Sequence, residues 1–274
     1  MTAILYTVTG CERCRVVKAF MDARGLAYTD VDAKGEGKNA FVRFYRDNQA
    51  QIMRGPEGIQ FPIYHQGEMV RQGLGVILSW LHVGVRIEPF VRPGLVGHGW
   101  AGGFNLSGGP QDAGRELLPV LRHLREHGIK IRMETDGRNS DLLKQVLVEG
   151  LADHLQFNLL GPAEAYARLP ERPCSEEEIN ASLSIAQRAG ELSIVLRVAP
   201  LPGGDRYLSP EEAATAAAMV AAATQNNRIP FGICILQPSP DSSLAPLPAT
   251  AGFKYRTVVR RYMLSAEILA SDTA

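Results

Sequence analysis

The sequence predicts an α/β protein in two parts. A small mixed-sheet domain spans residues 1–83, and a linker at 84–103 leads to an incomplete (βα) barrel with five or six parallel strands over 104–274. Three observations carry this reading. Short apolar or alternating runs exchange with longer amphipathic stretches along the whole chain. The Gly- and Pro-rich stretch "GVRIEPFVRPGLVGHGWAGG" at 84–103 interrupts that rhythm. Before it, two strand-like runs lie close enough for a hairpin; after it, a helix separates each strand from the next, as parallel pairing requires.

The elements follow in order. "AILYTV" (3–8) reads as a buried strand, and "CRVVKAFMDARG" (14–25) as a helix with Val16, Val17, Phe20 and Met21 on one face and Gly25 as its stop. "LAYTDVD" (26–32) alternates like a strand and "KNAFVRFYRDN" (38–48) has helical spacing. "FPIYH" (61–65) and "EMVRQ" (68–72) form a hairpin around Gln66-Gly67, and "LGVILSWLH" (74–82) closes the domain with a helix. The linker contains one short strand-like run, Val85–Phe90. Beyond it, strands are expected at Phe104–Ser107, Lys130–Glu134, His154–Leu159, Ser193–Val198 and Phe231–Leu236, with helices at 113–127, 139–149, 176–190, 209–225 and 255–270. An eightfold barrel needs more units than these.

Composition narrows the function classes. Lys plus Arg and Asp plus Glu both total 29, so no net field draws the chain to nucleic acid or to an acidic membrane. The apolar content of 45% supports a sizeable core, and the longest apolar runs fall short of a spanning helix. No basic region followed by an apolar stretch opens the chain, so a cytoplasmic protein without a signal peptide is expected. Four cysteines are too few for a secreted disulfide scaffold of this length.

Cys11 and Cys14 are separated by two residues at the start of the first helix, after a strand and a Thr9-Gly10 turn. The unpaired N–H groups of a helix N-terminus stabilise a thiolate, and Arg13, Arg15 and Lys18 add to that while Glu12 opposes it. The spacing lets Cys14 displace a partner captured by Cys11. Two other readings stand beside this redox pair: half of a metal site, which would need a second Cys or His pair, and two inert buried thiols. Cys174 and Cys234 are isolated in sequence. Ser175 and Glu178 form a capping box for the helix that follows Cys174. His123 and His127, four apart among Arg122, Arg125 and Glu126, read as a solvated helix face. His98 and Trp100 lie in the linker.

"ILYTVTGCERC" and "FPIYHQGEMVRQGLG" together resemble the glutaredoxin branch of the thioredoxin-like superfamily over residues 3–82. The resemblance implies a thioredoxin fold with catalytic Cys11 and Cys14, a cis bond before Pro62, and a substrate groove bounded by Arg13, Phe61, Pro62, Gly73 and Gly75. Where that family has Pro-Tyr between its cysteines this chain has Glu12-Arg13, and its glycine pair is split by Leu74. Glutathione and a thioredoxin-reductase-type donor are therefore both open as reductants.

In the second part, "LSGGPQD", "METDG", "ADHLQFNLLGPAEAY", "IVLRVAPLPGG" and "FGICILQP" follow one another in an order that resembles the radical S-adenosylmethionine activating enzymes. That likeness implies a binding surface made by Ser107, Gly108, Gly109, Thr135, Asp136, Asn158 and Arg197. The family's CxxxCxxC loop is missing, and without its thiolates an iron–sulfur cluster, and reductive use of S-adenosylmethionine, are not expected. Read as a structural feature, the Gly108-Gly109 pair is an ordinary turn.

The combined expectation is a glutaredoxin-like thiol–disulfide oxidoreductase that needs no cofactor. Its C-terminal part would hold a protein disulfide or a redox partner enzyme, and no nucleic acid or membrane. An anaerobic radical enzyme or reductase is the partner that the resemblance implies. The rival is a metal- or cluster-binding module built on Cys11 and Cys14, or an S-adenosylmethionine-binding protein without its own complete cluster site.

Overall fold

The computed structural model describes residues 2–55, 58–94, 96–169, 173–201, 206–238, 240, 242–248 and 250–270. The chain divides into two compact units, Met1–Met133 and Glu134–Ala274.

The first unit opens with β1 (Ala3–Thr7), α1 (Glu12–Ala23), β2 (Tyr28–Asp32) and α2 (Lys38–Asn48). The two-residue strands β3 (Arg54–Gly55) and β4 (Gly58–Ile59) follow, then β5 (Ile63–Gln66), β6 (Met69–Gln72) and α3 (Leu74–Val83). The four main strands make one sheet in the order β2-β1-β5-β6. β1 runs parallel to β2, joined by the α1 crossover, and antiparallel to β5, which forms the expected hairpin with β6. Alternation along β1 sends Tyr6 to one face, where its ring stacks on Phe44 at 4.4 Å and meets Phe41 at 5.4 Å. Leu5, fully buried, faces the other way. α1 buries Val16, Val17, Phe20 and Met21, as its spacing requires. Removing such side chains from water contributes roughly 1.5–3 kcal/mol each.

The linker differs from expectation. Gly84–Phe90 is a 3-10 helix where Val85–Phe90 was expected as a strand. In a three-residue turn Ile87 and Phe90 lie on the same side, and both are fully buried, whereas strand geometry would place them on opposite faces; Pro89 also lacks a ladder donor. β7 (Trp100–Asn105) starts four residues before the expected strand, and Phe104 bridges back to Val91. The single helix expected at 113–127 is broken into α4 (Gln111–Gly114), a 3-10 turn at Arg115–Leu117 and α5 (Leu118–Glu126). Pro119 explains the break: it fits the first turn of α5 but cannot donate to a preceding helical turn. His123 is another correction to the expected solvated face. Its Nε2 lies 3.1 Å from the Val16 carbonyl oxygen, and its ring meets Phe20 edge-on at 4.9 Å.

β8 (Lys130–Thr135) ends in the second unit, followed by α6 (Ser140–Val148), β9 (His154–Leu159), an unanticipated short helix α7 (Ala163–Ala167) and α8 (Glu176–Ala186). Then come β10 (Glu191–Val198), α9 (Pro210–Thr224), β11 (Phe231–Ile235), α10 (Ala251–Val259) and β12 (Ala266–Ile268). Strands β7 to β12 form a six-stranded sheet in the sequential order β12-β11-β10-β9-β8-β7, a parallel arrangement like part of a (βα) barrel. From β9 to β12 each strand pairs parallel to the next. The expected capping box of Ser175 with Glu178 is formed, and Ser209 with Glu212 makes another at the start of α9.

The end of the chain departs most from expectation. The helix predicted over 255–270 stops at Val259, and Ala266–Ile268 returns as an edge strand on β11. The unpaired backbone of β11 offers partners that a longer helix would leave unsatisfied. Leu264 N donates to Asn227 O at 2.9 Å, and Arg260 Nε to Ala266 O at 2.9 Å, fixing the return. No described helix is long and apolar enough to cross a membrane.

Candidate redox site

The N-terminal cysteines lie where β1 gives way to α1. Gly10, at φ 77°, turns the chain with a backbone that side-chain-bearing residues rarely adopt. Cys11 N donates to Val8 O at 3.2 Å, and Cys11 itself is the N-cap of α1. Its Sγ accepts from Cys14 N at 3.1 Å, so the sulfur takes the place that a capping oxygen has elsewhere. The two cysteines form a disulfide across a Cα–Cα distance of 5.3 Å. Cys11 is half-buried while Cys14 is 2% exposed, so only the first sulfur is offered to a partner.

An open groove of about 710 Å³ runs beside the pair, lined by Thr9, Cys11, Glu12, Cys14, Arg15, Lys18, Asp22, Asp30 and Asp32, among others. Its walls are held by polar contacts. Thr9 Oγ1 donates to Asp32 Oδ2 at 2.5 Å, and the amides of Lys34 and Gly35 donate to Asp32 Oδ1 at 2.9 Å each. Those donors, the Thr9 hydroxyl first, hold the Asp32 carboxyl below its ordinary pKa. Lys18 pairs with Asp30, which also accepts from Thr7 Oγ1 at 2.7 Å, and Arg15 lies 3.8 Å from Glu12.

The residues expected around the groove have these positions. The Phe61–Pro62 peptide is cis, Pro62 is buried, and the Phe61 ring packs 5.3 Å from Phe41. Gly73 precedes α3 at φ 94°. Gly75 is buried in α3 against Phe104, whose ring leaves no space for a Cβ. Arg13, together with Gln60, engages Val96 and Gly97. Gly73, Gly75 and Arg13 share a second cleft with Val96 and Gly102, and its free space is about 10 Å³.

Ser107, Gly108 and Gly109 form the turn after β7, where Ser107 N donates to Asn105 Oδ1 at 3.0 Å. The close approach that the two glycines permit is to the chain itself: a Cβ on Gly108 would overlap the Pro89 carbonyl, and one on Gly109 would sit 2.6 Å from the Phe90 ring.

In the second unit, Thr135 is buried and its Oγ1 accepts from Gly137 N at 3.0 Å. Asp136 is paired with Arg138, at 2.7 Å from Nη2 and 2.9 Å from Nε. Asn158 and Arg197 do come together. Arg197 Nε donates to Asn158 Oδ1 at 3.2 Å, and Asn158 Nδ2 donates to Glu134 Oε2 at 2.9 Å. Gln156 Nε2 also reaches Asn158 Oδ1, at 2.9 Å. Glu134 and Gln156 escaped the sequence reading. Their signal was the strand alternation: Ile131, Met133 and Thr135 are fully buried, which leaves Glu134 for the opposite, polar face. Cys234, opposite Arg197 in register, and Cys174 are both buried, outside the Cys11–Cys14 disulfide. Among the described residues no group of three or more His, Cys, Asp or Glu side chains is placed to hold a metal ion.

No protein-family profile matches the sequence, and no curated protein matches it. Among solved structures, the C-terminal part is similar in arrangement to a domain of pyruvate-formate lyase-activating enzyme from Bacteroides vulgatus ATCC 8482. The identity is 16% over 62% of this chain and 100% of that one, with a TM-score of 0.46. A second likeness is to the GH1 β-glucosidase from Exiguobacterium antarcticum B7, at 12% identity over 63% of this chain and 62% of that one, with a TM-score of 0.30.

Proposed function

We propose that the protein is a thiol–disulfide oxidoreductase that works through Cys11 and Cys14. In the reduced form the Cys11 thiolate attacks one sulfur of a substrate disulfide, forming a mixed disulfide and releasing the other sulfur as a thiolate. The Cys14 thiolate then attacks Cys11 Sγ, closing the Cys11–Cys14 bond and releasing the second substrate thiolate. Two electrons pass from the pair to the substrate, and an external dithiol or thiol donor returns them. The observation that carries this reading is the asymmetry of the pair: a disulfide whose first sulfur caps a helix at the edge of an open groove and whose second is almost fully buried. The Glu134–Asn158–Arg197 network gives the second unit a polar surface suited to recognising the substrate or its carrier protein.

Replacing Cys14 by Ser tests the assignment. The remaining Cys11 should retain partners as mixed disulfides that a strong reductant releases, and turnover of a peptide disulfide should fall to background in both Cys11→Ser and Cys14→Ser. Trapping no partner, together with no turnover of a peptide disulfide by the unmodified protein, would overturn the redox assignment.

A further inference from the structure

The open groove beside Cys11 follows one face of α1. Cys11, Cys14, Lys18 and Asp22 recur along it at helical spacing, and Asp30 and Asp32 of β2 make its other wall. From Cys11 to Asp22 the helix rises about 16 Å, a distance that an extended peptide covers in about five residues. The two cations in this groove are already engaged by carboxylates: Lys18 pairs with Asp30, and Arg15 lies 3.8 Å from Glu12. Asp22 and Asp32 are held by neutral donors instead. The Tyr28 hydroxyl donates to Asp22 Oδ1 at 3.1 Å, while the Thr9 hydroxyl and the Lys34 and Gly35 amides donate to Asp32. Among the described residues neither carboxylate has a Lys or Arg partner. Asp32 stands opposite Thr7 in the β1–β2 register, and Thr9 is two residues before Cys11, so this carboxylate is fixed at the Cys11 end of the groove. Three donors place it before a ligand arrives, and pairing with it orders nothing further in the protein.

We propose that the groove receives an extended, basic peptide whose cysteine disulfide meets Cys11. A Lys or Arg next to that cysteine pairs with Asp32, and a second, about five residues away, pairs with Asp22. The substrate class is a disulfide within a basic segment of a peptide or protein, and anionic partners are selected against. This inference rests on the redox reading of Cys11 and Cys14. Asp22 and Asp32 determine specificity and take no part in the electron transfer.

The test uses peptides with a single cysteine joined to 2-thiopyridine, carrying lysine, glutamine or glutamate at the adjacent and fifth positions on either side. In a single turnover of the reduced protein, the Cys11 thiolate attacks the peptide sulfur. It expels 2-thiopyridone, which takes a proton from solvent and gives the rate by its absorbance. The Cys14 thiolate then attacks Cys11 Sγ and releases the peptide thiolate, so the two electrons of the protein dithiol reduce the peptide disulfide. At low ionic strength, a lysine within about 7 Å of one carboxylate through water changes the rate roughly threefold. The peptide with both lysines should therefore react on the order of tenfold faster than the glutamine peptide, and the glutamate peptide slower than either. Asp32→Asn should abolish the advantage of the adjacent lysine and Asp22→Asn that of the distant one; each retains an oxygen for the existing donors. Glu68→Gln, which removes an exposed charge from the β5–β6 hairpin outside the groove, should change neither. In the unmodified protein the discrimination should vanish at about 1 M salt, where the Debye length is about 3 Å, a readout that needs no variant to fold. Rates independent of peptide charge, discrimination that survives in the Asp22→Asn/Asp32→Asn double variant, or an equal loss in Glu68→Gln would overturn the proposal. Failure of the reduced, unmodified protein to release thiopyridone from any of these peptides faster than Cys11→Ser would instead overturn the redox reading beneath it.

Discussion

Gly75 separates a packing role from a ligand role in one experiment. Its ideal Cβ would lie 2.6 Å from Phe104 Cζ, 3.0 Å from Cε1 and 3.2 Å from Cε2. Carbon atoms in contact prefer about 3.5–4.0 Å, so the ring must retreat by roughly an ångström. Phe104 has no exposed surface and lies on β7, so the retreat has nowhere to go without displacing neighbours. Overpacking of this kind costs about 1–3 kcal/mol, and Ala in a helix returns at most about 1 kcal/mol relative to Gly. Gly75→Ala should therefore destabilise the first unit by about 1–2 kcal/mol, lowering its melting temperature by roughly 2–8 °C. Both tryptophans, Trp80 and Trp100, belong to that unit, so their fluorescence reports on its unfolding. In a Phe104→Leu background the clashing ring atoms are gone and the same substitution should cost nothing, a coupling of about 1 kcal/mol or more. Peptide-disulfide turnover, measured below the transition, should be retained. Equal or greater stability of Gly75→Ala with Phe104 in place, or the same loss in both backgrounds, would refute the packing role.

Two further perturbations act through protons. Burial first, then His127 and Arg24, lower the pKa of His123 below 6.5, against the Val16 hydrogen bond and Glu126. A histidine held neutral by folding contributes stability that is complete above about pH 6.5 and is lost as the pH falls toward the lower folded value. Denaturant midpoints of the first unit should thus decline as the pH falls below about 6.5, and His123→Gln should flatten that slope; an unaltered slope would show that the histidine does not report on this packing. His82, also lowered by burial, accounts for what remains of it. In the second unit, Arg206 donates to both Glu212 oxygens, at 2.6 and 2.8 Å, and with the Ser209 amide brings the Glu212 pKa down to about 2. Depressed from 4.5, this carboxylate stabilises the fold above that value, and the contribution disappears as the pH falls from about 4.5 through 2. Arg206 is 45% exposed, so screening limits the pair, and Glu212→Gln should cost about 1 kcal/mol at pH 7 and well under half of that at pH 2. Circular-dichroism melts at the two pH values check this, and a loss undiminished at pH 2 would rule out the charge as its source.

What residue order determined by itself was local. Val16, Val17, Phe20 and Met21 could bury one face only as a helix, Ser175 and Glu178 could cap only the helix after them, and Cys11 and Cys14 could meet across one turn of α1 whatever surrounded them. The alternation of strands with helices likewise sufficed to anticipate parallel strands. Tertiary structure decided the rest, because the deciding partners are far apart in sequence. The stretch after Val259 became strand because β11 had unpaired backbone to offer, overriding a helical pattern. His123 left the solvent because Val16 and Phe20 were there to receive it. Arg13, legible only as a charge beside a thiol, acquired its contacts from carbonyls 83 and 84 residues away. Glu134 met Asn158 across neighbouring strands whose register no local pattern specifies.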